Sequence, residues 1–95
     1  MDASPSVTQN SAARQFELMV EGQRCTIDYD IEGDKIYLAH AVVPPALRNR
    51  GLAAQLTEQT LQMVEAQGLK AVPLCSYIVA YIHRHPAWQR VVAPR

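Results

Sequence analysis

Apolar side chains recur at every second position after Gln15, at Phe16, Leu18 and Val20, the pattern of a strand with one buried face. Glu21-Gly22-Gln23 suits a tight turn. Cys25, Ile27 and Tyr29 then alternate against Thr26, Asp28 and Asp30, so the two segments predict a hairpin. Glu32-Gly33-Asp34 turns the chain again into a third strand, Lys35–Val43. Pro44-Pro45 ends it, because proline has no N–H to give to a ladder. The period then changes. Leu52, Ala53, Leu56, Thr60, Met63, Val64 and Gln67 follow i, i+3, i+4 spacing and predict a helix over Leu52–Gln67, with Gly68 as its stop. Ala71–Cys75 is a short apolar run suited to a buried strand. Tyr77/Tyr81 and Ile78/Ile82, each four apart, predict a second helix over Tyr77–Arg84 that ends before Pro86.

The order βββ–α–β–α predicts an α+β domain with a mostly antiparallel sheet. A parallel strand pair should flank the central helix through a right-handed crossover. Residues 1–13 are rich in Ser, Ala, Asn and Gln without periodicity. They are expected to form a disordered tail before a single domain over residues 14–95.

Composition narrows the function classes. Nine Lys plus Arg balance nine Asp plus Glu. Bulk charge therefore gives no reason to bind nucleic acid or an anionic membrane. No apolar run approaches the ~20 residues of a spanning helix. Met1–Ala13 has neither the basic start nor the apolar stretch of a secretory signal. A cytoplasmic protein with Cys25 and Cys75 as reduced thiols is the expectation. His83 and His85, two apart on a helix, point away from each other, so no metal site is expected with Cys75.

The chemistry concentrates in Val43-Pro44-Pro45-Ala46-Leu47-Arg48-Asn49-Arg50-Gly51-Leu52-Ala53. A helix start leaves its first N–H groups unpartnered and carries partial positive charge, which together make an anion site. Gly51 and Ala53 keep bulk away from those amides, and Arg48 and Arg50 can add charge-assisted contacts. Taken alone, this spacing reads better as an exposed loop with solvated arginines.

The wider segment resembles the acyl-CoA motif of the GNAT acetyltransferase superfamily: a strand ending V-x-P, then [QR]-x-x-G-x-[GA] opening a helix. Val43, Pro45, Arg48, Gly51 and Ala53 match it in register. With His40, Val72-Pro73-Leu74-Cys75, Tyr81-Ile82 and Arg84-His85-Pro86, the chain resembles the short, single-domain YjdJ-type branch from about Phe16 to Val92. That resemblance implies a minimal GNAT-like fold binding acetyl-CoA or coenzyme A as co-substrate. The main chain near Val43 would pair with the pantetheine arm. The turn Arg48, Asn49, Arg50, Gly51, Leu52 and Ala53 would hold the pyrophosphate, mainly through the amides of Arg50–Ala53. The thioester would lie where the third strand splays from Ala71–Cys75.

Direct transfer to an amine needs a base for its proton and an acid for the leaving thiolate. His40 is a candidate base, although a strand histidine can equally be structural. Cys75 is either an acyl-accepting nucleophile or a small buried hydrophobe lining the cleft. Tyr77 and Tyr81 are candidate acids whose spacing also suits packing. Trp88 is expected to anchor the C-terminal segment, and Cys25 to pack. Where the short branch often carries glutamate this chain has Val42, which removes a second candidate base. The leading expectation is an acetyl-CoA-dependent N-acetyltransferase acting on an unidentified amine, which could be carried by another protein. The rivals are a CoA-binding protein with little or no transfer, and an interaction module that has lost the cofactor.

Overall fold

The computed structural model describes residues 6–94. Five strands run in the order β1 (Thr8–Asn10), β2 (Gln15–Val20), β3 (Gln23–Glu32), β4 (Lys35–Val42) and β5 (Lys70–Pro73) across one sheet. Neighbours pair antiparallel except β4 and β5, which run parallel on either side of helix α1 (Leu52–Ala66) in the chain. Helix α2 (Ser76–Arg84) follows β5, and 3-10 turns occupy Pro45–Leu47 and Pro86–Val91. The α+β expectation, with a mostly antiparallel sheet and one parallel pair, therefore holds.

Apart from Thr26, which is buried on the opposite face, the alternation read from the sequence is the alternation of burial. Phe16, Leu18, Cys25, Ile27, Ile36 and Leu38 are fully enclosed. They meet Leu56, Leu61 and Val64 of α1 and Ile78 of α2 in one apolar cluster. Each aliphatic or Phe side chain of this kind removed from water contributes about 1.5–3 kcal/mol. Thr57 and Leu61, outside the spacing that predicted α1, are also buried; Thr57 turns its Oγ1–H back onto the Ala53 carbonyl at 2.8 Å.

One sequence expectation needs correction. The expected tail, residues 1–13, is in part a strand: β1 pairs with β2 through Thr8↔Glu17, Gln9↔Phe16 and Asn10↔Gln15. Val7 is buried beside it. The rest of the expected tail, residues 1–5, lies outside the described residues. Three residues held by main-chain bonds to a neighbour need no apolar period of their own, so no pattern announces them. β4 carries an irregularity that sets the facing of its end. The pairing steps from Tyr29↔Leu38 to Asp28↔His40, leaving Ala39 as an extra residue on β4. Such a bulge reverses which alternate residues face the core. Ile36 and Leu38 face inward before it. After it Ala41, opposite buried Ile27, takes the inner face, and His40 and Val42 are exposed on the other.

The C-terminal segment is fastened where Trp88 was expected to anchor it. Trp88 is half-buried against the core, with the Arg90 guanidinium 4.8 Å from its ring centroid. Arg90 also donates from Nε and Nη2 to Glu65 of α1 at 2.6 and 3.0 Å. The Ala93 N–H donates to the Ala71 carbonyl at 2.8 Å, covering part of the β5 edge. Cys25 and Cys75 are both free thiols, and burial pushes the Cys25 thiol up. Among the described residues no helix is long and apolar enough to cross a membrane.

Candidate acyl-CoA site

Beyond β4 the chain is guided by proline and anchored by leucine. Leu47, almost wholly buried, closes the Pro45–Leu47 turn by donating its N–H to the Pro44 carbonyl at 2.9 Å. The backbone then takes left-handed values at Asn49 (φ 65) and Gly51 (φ 74). Asparagine and glycine adopt that region at least cost. Gly51 is the N-cap of α1. No side chain caps this helix end and no acid stands in its first turn. The first intrahelical bond runs from the Gln55 N–H to the Gly51 carbonyl at 3.1 Å. The amides of Leu52, Ala53 and Ala54 precede it and project from a helix end of partial positive charge.

These amides border a cavity of about 320 Å³ formed by Val43, Leu47, Arg48, Asn49, Gly51, Leu52, Ala53, Ala54 and Tyr77. A Cβ built at Gly51 would meet no heavy atom within 4 Å, so the approach to the helix end is open. A phosphate group suits this place: uncapped amides, no competing carboxylate in the turn, and space in front of them.

The two arginines are held differently. Arg48 lines the cavity and donates from Nε to the Val43 carbonyl at 3.1 Å, tying the turn back to the end of β4. Arg50 does not line it. Its Nη2 donates to Glu21 Oε2 at 2.7 Å, on the β2–β3 turn. That hydrogen bond holds the Glu21 carboxyl below its usual range, its charge adding to the effect.

The candidate catalytic residues lie at the fork between β4 and β5. The Leu38 carbonyl accepts from the amides of Leu74 and Cys75 at 2.9 and 3.3 Å. The β4–β5 register ends at Leu38↔Pro73. Cys75, half-buried, is the N-cap of α2, and its carbonyl accepts from the Val79 N–H at 3.0 Å. His40 stands exposed, two residues beyond Leu38 on β4. Neither lines the turn cavity; Tyr77 does. Tyr81 instead packs inward, 4.3 Å from the His85 ring, and burial pushes its hydroxyl up. Helical spacing alone could not separate Tyr77 from Tyr81, since only the placing of α2 beside the turn distinguishes them. Leu47, Ala54 and Glu21 carried no signal in the sequence. Among the described residues no group of three His, Cys, Asp or Glu side chains gathers as a metal site.

The model of the family described as GCN5-related N-acetyl-transferase matches residues 15–91. The chain is similar to Protein NATD1 of Xenopus tropicalis, 35% identical over an aligned length of 91 that covers 90% of this chain and 84% of that one. Protein NATD1 of Mus musculus is 35% identical over 83 residues, 84% of this chain and 76% of the relative. The Homo sapiens protein of that name has the same identity over 83 residues, 84% of this chain and 74% of its own.

Proposed function

This chain belongs to the GCN5-related N-acetyltransferase family, and from that premise we propose that it binds acetyl-CoA and passes the acetyl group to an amine. The observation that carries the reading is the uncapped start of α1, open at Gly51 and facing a cavity shared with Val43 and Tyr77. In this reading the amides from Arg50 to Ala53 grip the pyrophosphate. Arg48 and Arg50 add long-range attraction, and the main chain at Val43 meets the pantetheine arm. Acetyl-CoA, when bound, supplies the activated thioester. The chain's own part is to place it at the β4–β5 fork, to take a proton from the amine and to return one to the thiolate.

His40 is the proposed base, reaching the fork from the exposed face of β4. Tyr77 is the proposed acid, reaching it from the start of α2. Cys75 lines the fork, because direct attack by the amine requires no acyl-enzyme. The fork opens on the surface, so the acceptor meets a shallow site that an amine on another protein could enter. We further assign the chain to the short YjdJ-type branch and to the cytoplasm. A second reading, CoA binding with little or no transfer, is favoured by Val42. It stands exposed on the face of His40, where the branch often carries glutamate.

Isothermal calorimetry with CoA and a turnover assay with acetyl-CoA and a panel of primary amines test both readings. Binding with thiol release that depends on amine supports transfer. Binding without release supports the second reading, and the lack of binding removes both.

A further inference from the structure

The row of residues across the exposed sheet face at His40 contains a group with no role so far. Cross-strand partners point to the same side of a sheet, with Cβ atoms about 4.5–5.5 Å apart. The registers Gln15↔Asp28 and Asp28↔His40 set Gln15, Asp28 and His40 in one line over β2, β3 and β4. Asp28 is half-buried, and its Oδ1 accepts from Gln15 Nε2 at 2.8 Å. That bond fixes the carboxylate from the β2 side and leaves its second oxygen for β4.

Two other acids of this face are engaged with cations. Asp30, diagonal to His40, is paired with Arg14. Glu17, one strand away, lies 3.9 Å from Arg24 and accepts from Asn10 at 3.1 Å. Asp28 is held by a neutral amide, so its charge is not cancelled by its partner. No β5 residue stands beside His40, since the β4–β5 register has ended at Leu38. The bulge at Ala39 creates the row. With uninterrupted alternation His40 would share the inner face of Ile36 and Leu38, away from Asp28.

We propose that Asp28 is the positioning residue for His40. The two side chains are not hydrogen-bonded in this structure; rotation of the exposed His40 ring toward its cross-strand partner lets one ring N–H donate to the Asp28 carboxylate, which selects the tautomer and leaves the other nitrogen bare toward the fork. That bare nitrogen takes the proton from the acceptor ammonium, freeing the nitrogen lone pair for attack. The Asp28 carboxylate stabilises the imidazolium, as a carboxylate behind a catalytic imidazole does. The role rests on the proposed transfer to an amine.

The test compares the wild type with Asp28→Asn, whose amide oxygen can still accept from Gln15. Two readouts are taken. Steady-state transfer should show kcat lowered by roughly tenfold or more, with KM for acetyl-CoA and the Kd for CoA unchanged. Long-range ¹H–¹⁵N spectra should show the His40 ring in one tautomer in the wild type and in a mixture in Asp28→Asn. The second readout requires no turnover. If no amine is acetylated, the transferase reading falls, and the spectra still decide whether Asp28 holds His40. Gln15→Leu, which removes the bond aiming Asp28 but keeps its charge, should shift the tautomer ratio in the same direction and serves if Asp28→Asn does not fold. Unchanged tautomer populations in a folded variant, or a kcat equal to that of the wild type, overturn the proposal.

Discussion

Replacement of Gly51 by glutamate separates the fold's need for this residue from the ligand's. Gly51 stands at φ 74 and ψ 10 at the head of α1. Nothing lies within 4 Å of where its Cβ would be, so the side chain meets no clash. The stability cost is conformational, about 1–2 kcal/mol for an L-residue in the left-handed region. A carboxylate at a helix N-terminus returns about 0.3–1 kcal/mol through the dipole. The net loss is therefore on the order of 1 kcal/mol, a fall in Tm of roughly 4–8 °C for a domain of this size. Binding should suffer more. The new carboxylate occupies the anion position in front of Leu52–Ala54 and repels phosphate. The Kd for CoA should rise by more than about tenfold, or ~1.4 kcal/mol. Gly51→Asn is the control. Asparagine accepts this backbone region, as Asn49 does at φ 65, and adds bulk without charge. Its stability should lie closer to wild type and its CoA affinity between the other two. Thermal unfolding followed by calorimetry with CoA measures both quantities. A folded Gly51→Glu protein that binds CoA with the wild-type Kd would refute the phosphate-turn argument.

Arg48→Ala with Arg50→Ala should weaken CoA binding and flatten its dependence on salt, because two cations near phosphate are screened by added ions. Titrations at several ionic strengths check this, and a wild-type salt slope in the double variant would assign the arginines a structural role. Cys75→Ser should keep most transfer activity, and intact-protein mass spectrometry after acetyl-CoA alone should show no stoichiometric acetyl on Cys75. A stable adduct discharged by added amine would instead make it an acyl carrier. The Glu65–Arg90 pair gives a pH signature. The hydrogen bond from Arg90 lowers the Glu65 carboxyl below its ordinary value of 4.5. Its stabilisation is therefore present above that pH and lost as pH falls through the depressed value. Chemical denaturation should find Glu65→Gln less stable than wild type at pH 7, by a small amount for so exposed a pair. The gap should close in strong acid.

Much of this molecule can be read before it folds. The β2–β3 hairpin, β4, α1 and α2 follow from periods of two and of 3.6, since each buries one face and its apolar residues must recur at the spacing of that face. Boundaries moved by one or two residues: β4 stops at Val42, α1 at Ala66, and β5 spans Lys70–Pro73. The turn before α1 was legible because its demands are local. A left-handed backbone and a free helix end call for particular residue types at particular places.

Other features depend on a neighbour's position and leave no trace in the local pattern. β1 exists because the β2 edge offers main-chain groups, which any residue with an N–H and a C=O can meet. The bulge at Ala39 is set by pairing with β3, and it alone decides that His40 joins Asp28 on the exposed face. Tyr77 borders the turn while Tyr81 is buried because α2 is docked at one angle against α1 and β4, although both tyrosines satisfy the same helical spacing. Arg50 reaches Glu21 because the β2–β3 turn lies against the head of α1, 29 residues away in sequence. The sequence by itself determines the elements that bury a face and where an open helix start must lie, because those are properties of consecutive residues. Only the tertiary structure decides which side chains meet there, because such meetings depend on register and docking between segments distant in the chain.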